Sequence, residues 1–255
     1  MPLITFTSDF DQSDHYVAFT KAKILGEFPE AQIIDISHGI KPFDLAHMAH
    51  VVQSVFREFP EGTIHLLGND GNSQKAQSYI IAKIEGHIFV GPNNGVTSLI
   101  SEKQPEVVIE IGLAVAQGFV GLPTIVGQLA KGTPVEELGQ PTDNFNRFMA
   151  RKARATKREI AGHIIHTDHY GNLITNIEKT DFDILSANKP YRIVFGRNSV
   201  STVNASIPEV EPGEVFFMFN SNAKLMLGIN QGHGGQLLGL EYDSPIVIKF
   251  EEDAN

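Results

Sequence analysis

The chain has 255 residues, 30 acidic against 20 basic side chains and a formal charge of -10. That balance argues against a nucleic-acid partner, whose phosphates need clustered Lys and Arg, and the one basic stretch, Arg147 to Arg158, reads as an exposed helix or linker. Cysteine is absent, which excludes disulfides, a thiolate nucleophile and a cysteine zinc site. No run approaches the ~18 apolar residues of a membrane helix, and the opening MPLITFTSDF reads as a first core strand and not as a leader. The expectation is a cytoplasmic protein with no membrane partner.

Taken in chain order, LITFTS is an apolar, β-branched run that ends at Asp9 in a polar loop. HYVAFTKAKILGEFP has helical spacing and stops at Pro29. AQIIDIS is a second strand, followed by the loop HGIKPFD. LAHMAHVVQSVFREF predicts a helix with apolar residues three and four apart, closed by PEGT, and IHLLG is a third strand. Strand, helix, strand, helix, strand is the βαβ rhythm of a parallel sheet covered on both faces. YIIAKIEGHIFVGPNNG follows as two strands with hairpin character at EG, and TIVGQLAKG predicts one more helix, ended by Gly132.

The pattern changes near residue 140. An N-terminal α/β domain with a mostly parallel central sheet (residues 1–142) is expected, then a linker (143–160). Residues 161–255 read as a smaller β-barrel domain, because EIAGHIIHTD, LITNI, PYRIVFG, EVFFMFNS, AKLMLGIN and SPIVIKF are short strands separated by turns. In open parallel sheets ligands sit outside the carboxyl ends of the strands. Asp9, the loop SHGIKPFD and Asp70 each follow a predicted strand, so they are expected along one edge. Asp at such positions also serves as a turn cap, and at Asp70 the two readings are evenly weighted. His47 and His50 share a helix face, but no third ligand is in view, so no metal is expected.

Several segments carry a family likeness: TSDF with DHYVA, DISHGIKPFD, FPEGTIHL and VGPNNG in the first domain, DHYGNLITNI and NSNAKLMLGINQGHGGQLLGL in the second. In that order they resemble the S-adenosylmethionine hydroxide adenosyltransferases, relatives of the enzymes that make 5′-fluoro- and 5′-chloro-adenosine. The resemblance covers nearly the whole chain. It implies an α/β domain followed by a β-barrel, and a homotrimer with the ligand at the subunit interface. It also implies cleavage of S-adenosylmethionine, a substrate here and no cofactor, by water at ribose C5′. The other reading is a protein that binds adenosine or S-adenosylmethionine with little or no catalysis.

Carried over residue by residue, the resemblance places Asp9 on the ribose hydroxyls and Asp14 near the methionine end, with Phe43 walling the cleft. Asp168 is placed on the methionine ammonium, Asn172 on the adenine edge, and Asn220 with Ser221 on the carboxylate and adenine. Asp70 falls on the water-orienting carboxylate of the family. Here the sequence departs from the pattern: the family's D-P-G-V-G reads DGNSQ, its arginine position holds Gln77 with Lys75 nearby, and its F-H-G-R-D histidine position holds Gln117 or Val120. His38 reads as a loop histidine anchoring backbone.

Overall fold

The computed structural model describes residues 3–69, 78–112, 118–187 and 189–251. The chain divides into two compact units, Met1–Met149 and Ala150–Asn255.

The first unit contains strands β1 (Ile4–Ser8), β2 (Ile33–Ser37), β3 (Ile64–Gly68), β4 (Tyr79–Ile84), β5 (His87–Pro92), β6 (Val107–Ile111) and β7 (Gln140–Pro141). Its helices are α1 (Tyr16–Glu27), α2 (Leu45–Gln53), α3 (Val96–Ile100) and α4 (Leu122–Ala130). The strands form one mixed sheet in the order β2-β1-β3-β5-β4-β6-β7. β1 runs parallel to both β2 and β3, and β3 is parallel to β5. All five residues of β1 and of β3 are buried, as expected of central strands covered on both faces. One face packs Phe6 and Leu66 against Ile24 of α1 and Leu122 and Val126 of α4. The other packs Leu67, Ile80 and Phe89 against Met48 and Val52 of α2 and Val96 of α3.

Local chemistry sets the ends of these elements. The Asp44 carboxylate accepts from the His47 N–H and caps α2, satisfying one of the donors that a helix start leaves open. Glu85 and Gly86 both take positive φ, 53° and 77°, which is the two-residue turn that suits a hairpin between β4 and β5. α2 is shorter than its sequence pattern predicts. It stops at Gln53, where the Ser54 hydroxyl bonds back to the His50 carbonyl at 2.7 Å, and Phe56–Glu58 form a separate 3-10 turn. A serine competing for the backbone in this way weakens helix continuation.

The second unit contains β8 (Arg154–Ala155), β9 (Glu159–Thr167), β10 (Leu173–Glu178), helix α5 (Lys179–Ser186), β11 (Tyr191–Phe195), β12 (Asn198–Val200), β13 (Val215–Phe219), β14 (Lys224–Ile229), helix α6 (Gly234–Leu238) and β15 (Pro245–Phe250). Its strands pair in the order β12-β11-β15-β9-β10-β14-β13, with β8 on β9, as a curled half-barrel. Every pairing is antiparallel. Ile160, Ile164, Phe217, Leu227 and Ile248 fill its concave side. Helix α5 was not expected from the sequence, because it buries only Phe182 and so lacks an apolar stripe. Among the described residues no helix is long and apolar enough to cross a membrane.

Candidate functional site

In the first unit, the carboxyl ends of β1, β2 and β3 deliver Asp9, His38 and Asn69 to one edge. The Asp9 N–H donates to the Gly68 carbonyl at 3.3 Å, tying the chain after β1 to the end of β3. Asp9 Oδ2 accepts from the Phe43 N–H at 3.2 Å. Phe43 takes φ of 64°, an uncommon conformation for a bulky residue, and its ring is 70% exposed. The carboxylate thus holds the loop after β2 with an aromatic ring standing out from it.

His38 sets the height of that loop from below. Its ring is buried, with Nδ1 2.7 Å from Ser8 Oγ, and its carbonyl accepts from the Asp11 N–H at 2.9 Å. Nε2 lies 3.2 Å from Asp35 Oδ1 but off the line of a hydrogen bond, so this approach is electrostatic. Burial works to raise the Asp35 carboxyl; the Lys21 ammonium and the His38 ring outweigh it, and the group is held below its ordinary range.

Above this framework lies a cleft of about 740 Å³ lined by Asp9, Phe10, His15, Tyr16, Phe19, Thr20, Pro42, Phe43, Asn69, Tyr79, Phe119, Val120 and Pro123. The rings form a continuous wall: Phe119 stands edge-on to Phe10 at 5.1 Å, and Tyr16 is 6.0 Å from Phe10. Gly68 is what admits Phe119 so close to β3, because a Cβ there would stand 3.0 Å from the Phe6 ring and 3.1 Å from that of Phe119. The cleft is mostly apolar with a few polar groups, the usual make-up of a small-molecule site.

The sequence-predicted residues fall as follows. Asp9 and Phe43 are bonded to each other in the cleft. Asp14 is exposed in the loop before α1 and does not line it. Asp70, Lys75, Gln77 and Gln117 lie outside the described residues. Val120 is in the cleft wall, 44% exposed. Of GPNNG, Asn93 bonds to the Asn144 carbonyl at 2.7 Å and accepts from the Asn146 N–H, so it fastens the chain after β7. Sequence reasoning passed over His15, Phe119 and Asn69. The signal for Asn69 was its place directly after the run IHLLG and before Asp70.

In the second unit, Asp168 and Asn172 are brought together by the turn between β9 and β10. The Asp168 carboxylate accepts from the Asn172 N–H at 2.8 Å and from its Nδ2 at 3.0 Å. Gly171, at φ of 84°, lies flat against the His233 ring, and a Cβ would stand 2.5 Å from it. Asn172 lines a separate pocket of about 450 Å³ with Tyr170, Phe216, Asn230, Gln231 and His233. Asn220 sits in the β13–β14 hairpin, where its Oδ1 accepts from the N–H groups of Asn222 and Lys224, and Ser221 is exposed beside it. Among the described residues no three His, Asp or Glu side chains are placed to share a metal ion.

An acid at the carboxyl edge of parallel strands, facing an aromatic cleft, defines an α/β protein shaped to hold a small organic ligand. Comparison with known proteins is more specific. Residues 4–139 match the SAM hydroxide adenosyltransferase N-terminal domain, and residues 162–247 match the C-terminal domain. The chain belongs to the SAM hydroxide adenosyltransferase family. It is 31% identical over 194 residues to an (R)-S-adenosyl-L-methionine hydrolase of Methanocaldococcus jannaschii, covering 71% of this chain and 69% of that protein. It is 28% identical over 223 residues to a fluorinase of Nocardia brasiliensis, covering 72% and 74%. A crystal structure of an uncharacterized conserved protein from Thermotoga maritima superposes with a TM-score of 0.88 at 27% identity, over 97% of this chain and all of that one.

Proposed function

We propose that this protein cleaves S-adenosylmethionine with water, giving adenosine and methionine. The observation that carries the reading is the match to both family domains, in order, together with Asp9 standing in the aromatic cleft. Relatives named (R)-S-adenosyl-L-methionine hydrolase support water as a nucleophile in this family.

The chemistry asks for alignment. A water oxygen attacks ribose C5′ in line; the C5′–S bond breaks and its electron pair goes to sulfur, so methionine departs as a neutral thioether needing no protonation. The water's proton goes to a nearby carboxylate or to solvent. In this reading Asp9 accepts from ribose hydroxyls while Oδ2 keeps hold of the Phe43 loop, and Phe10, Tyr16, Phe43 and Phe119 exclude bulk water. Asp70 holds the attacking water. Asp168, Asn172, Asn220 and Ser221 serve the amino-acid and adenine ends, and Asp14 the methionine side. The site needs no cofactor. The protein works as a homotrimer, a state supported by the exposed Tyr16, Phe19, Phe43 and Val120 gathered at one cleft, since clustered apolar exposure marks an interaction surface.

Two departures favour a second reading, a binder of adenosine or S-adenosylmethionine with little turnover: Gln77 replaces the family arginine, and neither Gln117 nor Val120 is a base. Incubation with S-adenosylmethionine and chromatography separates the two. Slow formation of adenosine and methionine in equal amounts, abolished by Asp70→Asn with adenosine affinity kept, is expected for the hydrolase. Adenosine binding without products leaves the binder, and neither products nor binding contradicts both.

A further inference from the structure

Asn69 is 3% exposed, and among the described residues neither its Oδ1 nor its Nδ2 has a hydrogen-bond partner. Leaving a buried amide unpaired is costly, and the great majority of such groups in folded proteins are satisfied. This one is in the wall of the same cleft as Asp9. The two residues directly follow β1 and β3, whose register sets Ser8 beside Gly68, so the parallel pairing itself carries Asp9 and Asn69 to neighbouring positions on one edge.

Their chemistries are complementary. An ionised carboxylate only accepts hydrogen bonds, whereas a primary amide both donates and accepts. A hydroxyl that gives its proton to Asp9 still has oxygen lone pairs, and an amide N–H is the group to fill them. The terminal torsion of asparagine is soft, so the amide turns toward an arriving group at little cost. We infer that Asn69 is a specificity-determining residue that reads a hydroxyl of the nucleoside and is left unsatisfied by the fold for that purpose. This rests on the nucleoside reading of the cleft proposed above and adds to it a residue that separates hydroxyl-bearing from deoxygenated sugars.

The test pairs stability with binding. Asn69→Leu replaces an unsatisfied amide by an apolar group of similar size, so the melting temperature of the ligand-free protein is expected to hold or rise. Adenosine affinity, by calorimetry, is expected to fall about 5- to 10-fold, the worth of one hydrogen bond. With 2′-deoxy-, 3′-deoxy- and 5′-deoxyadenosine, the affinity lost relative to adenosine should be about 5- to 10-fold smaller in the variant than in wild type for one analogue and unchanged for the other two. That analogue names the hydroxyl. Asn69→Ala gives the same reading should leucine not fit. A clear loss of melting temperature in both variants makes the amide a structural group and overturns the inference. So does wild-type adenosine affinity in the variants, or an equal loss for every analogue. If wild type itself binds none of the four nucleosides, the nucleoside reading falls, and the inference with it.

Discussion

The two ends of the β1–β3 pair treat buried polar groups in opposite ways. At the amino end, Thr5 Oγ1 lies 2.7 Å from His65 Nδ1, and His65 Nε2 lies 3.1 Å from His87 Nδ1. These groups satisfy one another inside a shell of Phe56, Phe59 and Phe89. Two residues further along each strand the account no longer closes. Among the described residues Thr7 Oγ1 is buried without a hydrogen-bond partner, and beyond the strand end so is the Asn69 amide. The contrast teaches where the sheet serves itself and where it is open to a ligand: polar groups closed on each other hold the fold, and the open Asn69 amide lines the cleft.

The sharpest way to break this contrast is to damage the closed end. Phe56 is fully buried and stands edge-on to His65, His87 and Phe89. Phe56→Ala should lower the free energy of unfolding by ~3–5 kcal/mol, the range for a buried aromatic truncated in a packed core, with adenosine affinity unchanged wherever the variant is folded. Denaturant melts and calorimetry read both quantities, and a binding loss comparable to the stability loss would show that the two ends are not independent.

Damage at the open end should do the reverse. Asp9→Ala is expected to weaken adenosine binding by at least ~1.5 kcal/mol, the order for hydrogen bonds to a charged group. Its stability loss should be smaller than its binding loss. Unfolding that tracks the binding loss would instead make Asp9 a loop clamp only.

Acid should act on the closed end. Burial, with the neighbouring His87 ring adding to it, pushes the His65 imidazole down to about 3, and burial also lowers His87. When the chain unfolds, His65 regains an ordinary value near ~6.5. Below that pH the unfolded chain binds a proton that the folded chain refuses, so stability is complete above about pH 7 and declines as pH falls toward 3, by up to ~1.4 kcal/mol per pH unit. His65→Leu should flatten this slope in urea melts at a series of pH values. An unchanged slope would assign the acid sensitivity to other groups.

The smallest effect is expected at Asp14, exposed in the loop before α1. Asp14→Ala should change stability by less than ~0.5 kcal/mol, as for surface sites without special contacts. A weaker KM for S-adenosylmethionine, with that stability kept, would place it on the methionine end of the ligand.

Much of the contrast was legible in the sequence. The alternation of ITFTS and IHLLG with helical runs announces a parallel sheet, and the strand ends then point to Asp9. The turn at Gly86 and the Gly132 stop, at φ of 77° and 100°, follow from glycines, which tolerate positive φ. What stayed hidden depends on three-dimensional accounting. The Ser54 hydroxyl that ends α2 early, and α5 with its single buried Phe182, leave no periodic mark. Asn69 resembles any loop amide until the absence of a partner among the described residues sets it apart, and the acid beside it carried the family likeness.

The proposed reaction is tested most directly by running it in water enriched in oxygen-18 and weighing the products by mass spectrometry. Attack of water at C5′ predicts one heavy oxygen in the 5′-hydroxyl of adenosine and none in methionine. Unlabelled adenosine, or no adenosine from a protein that still binds it, would contradict the hydrolase.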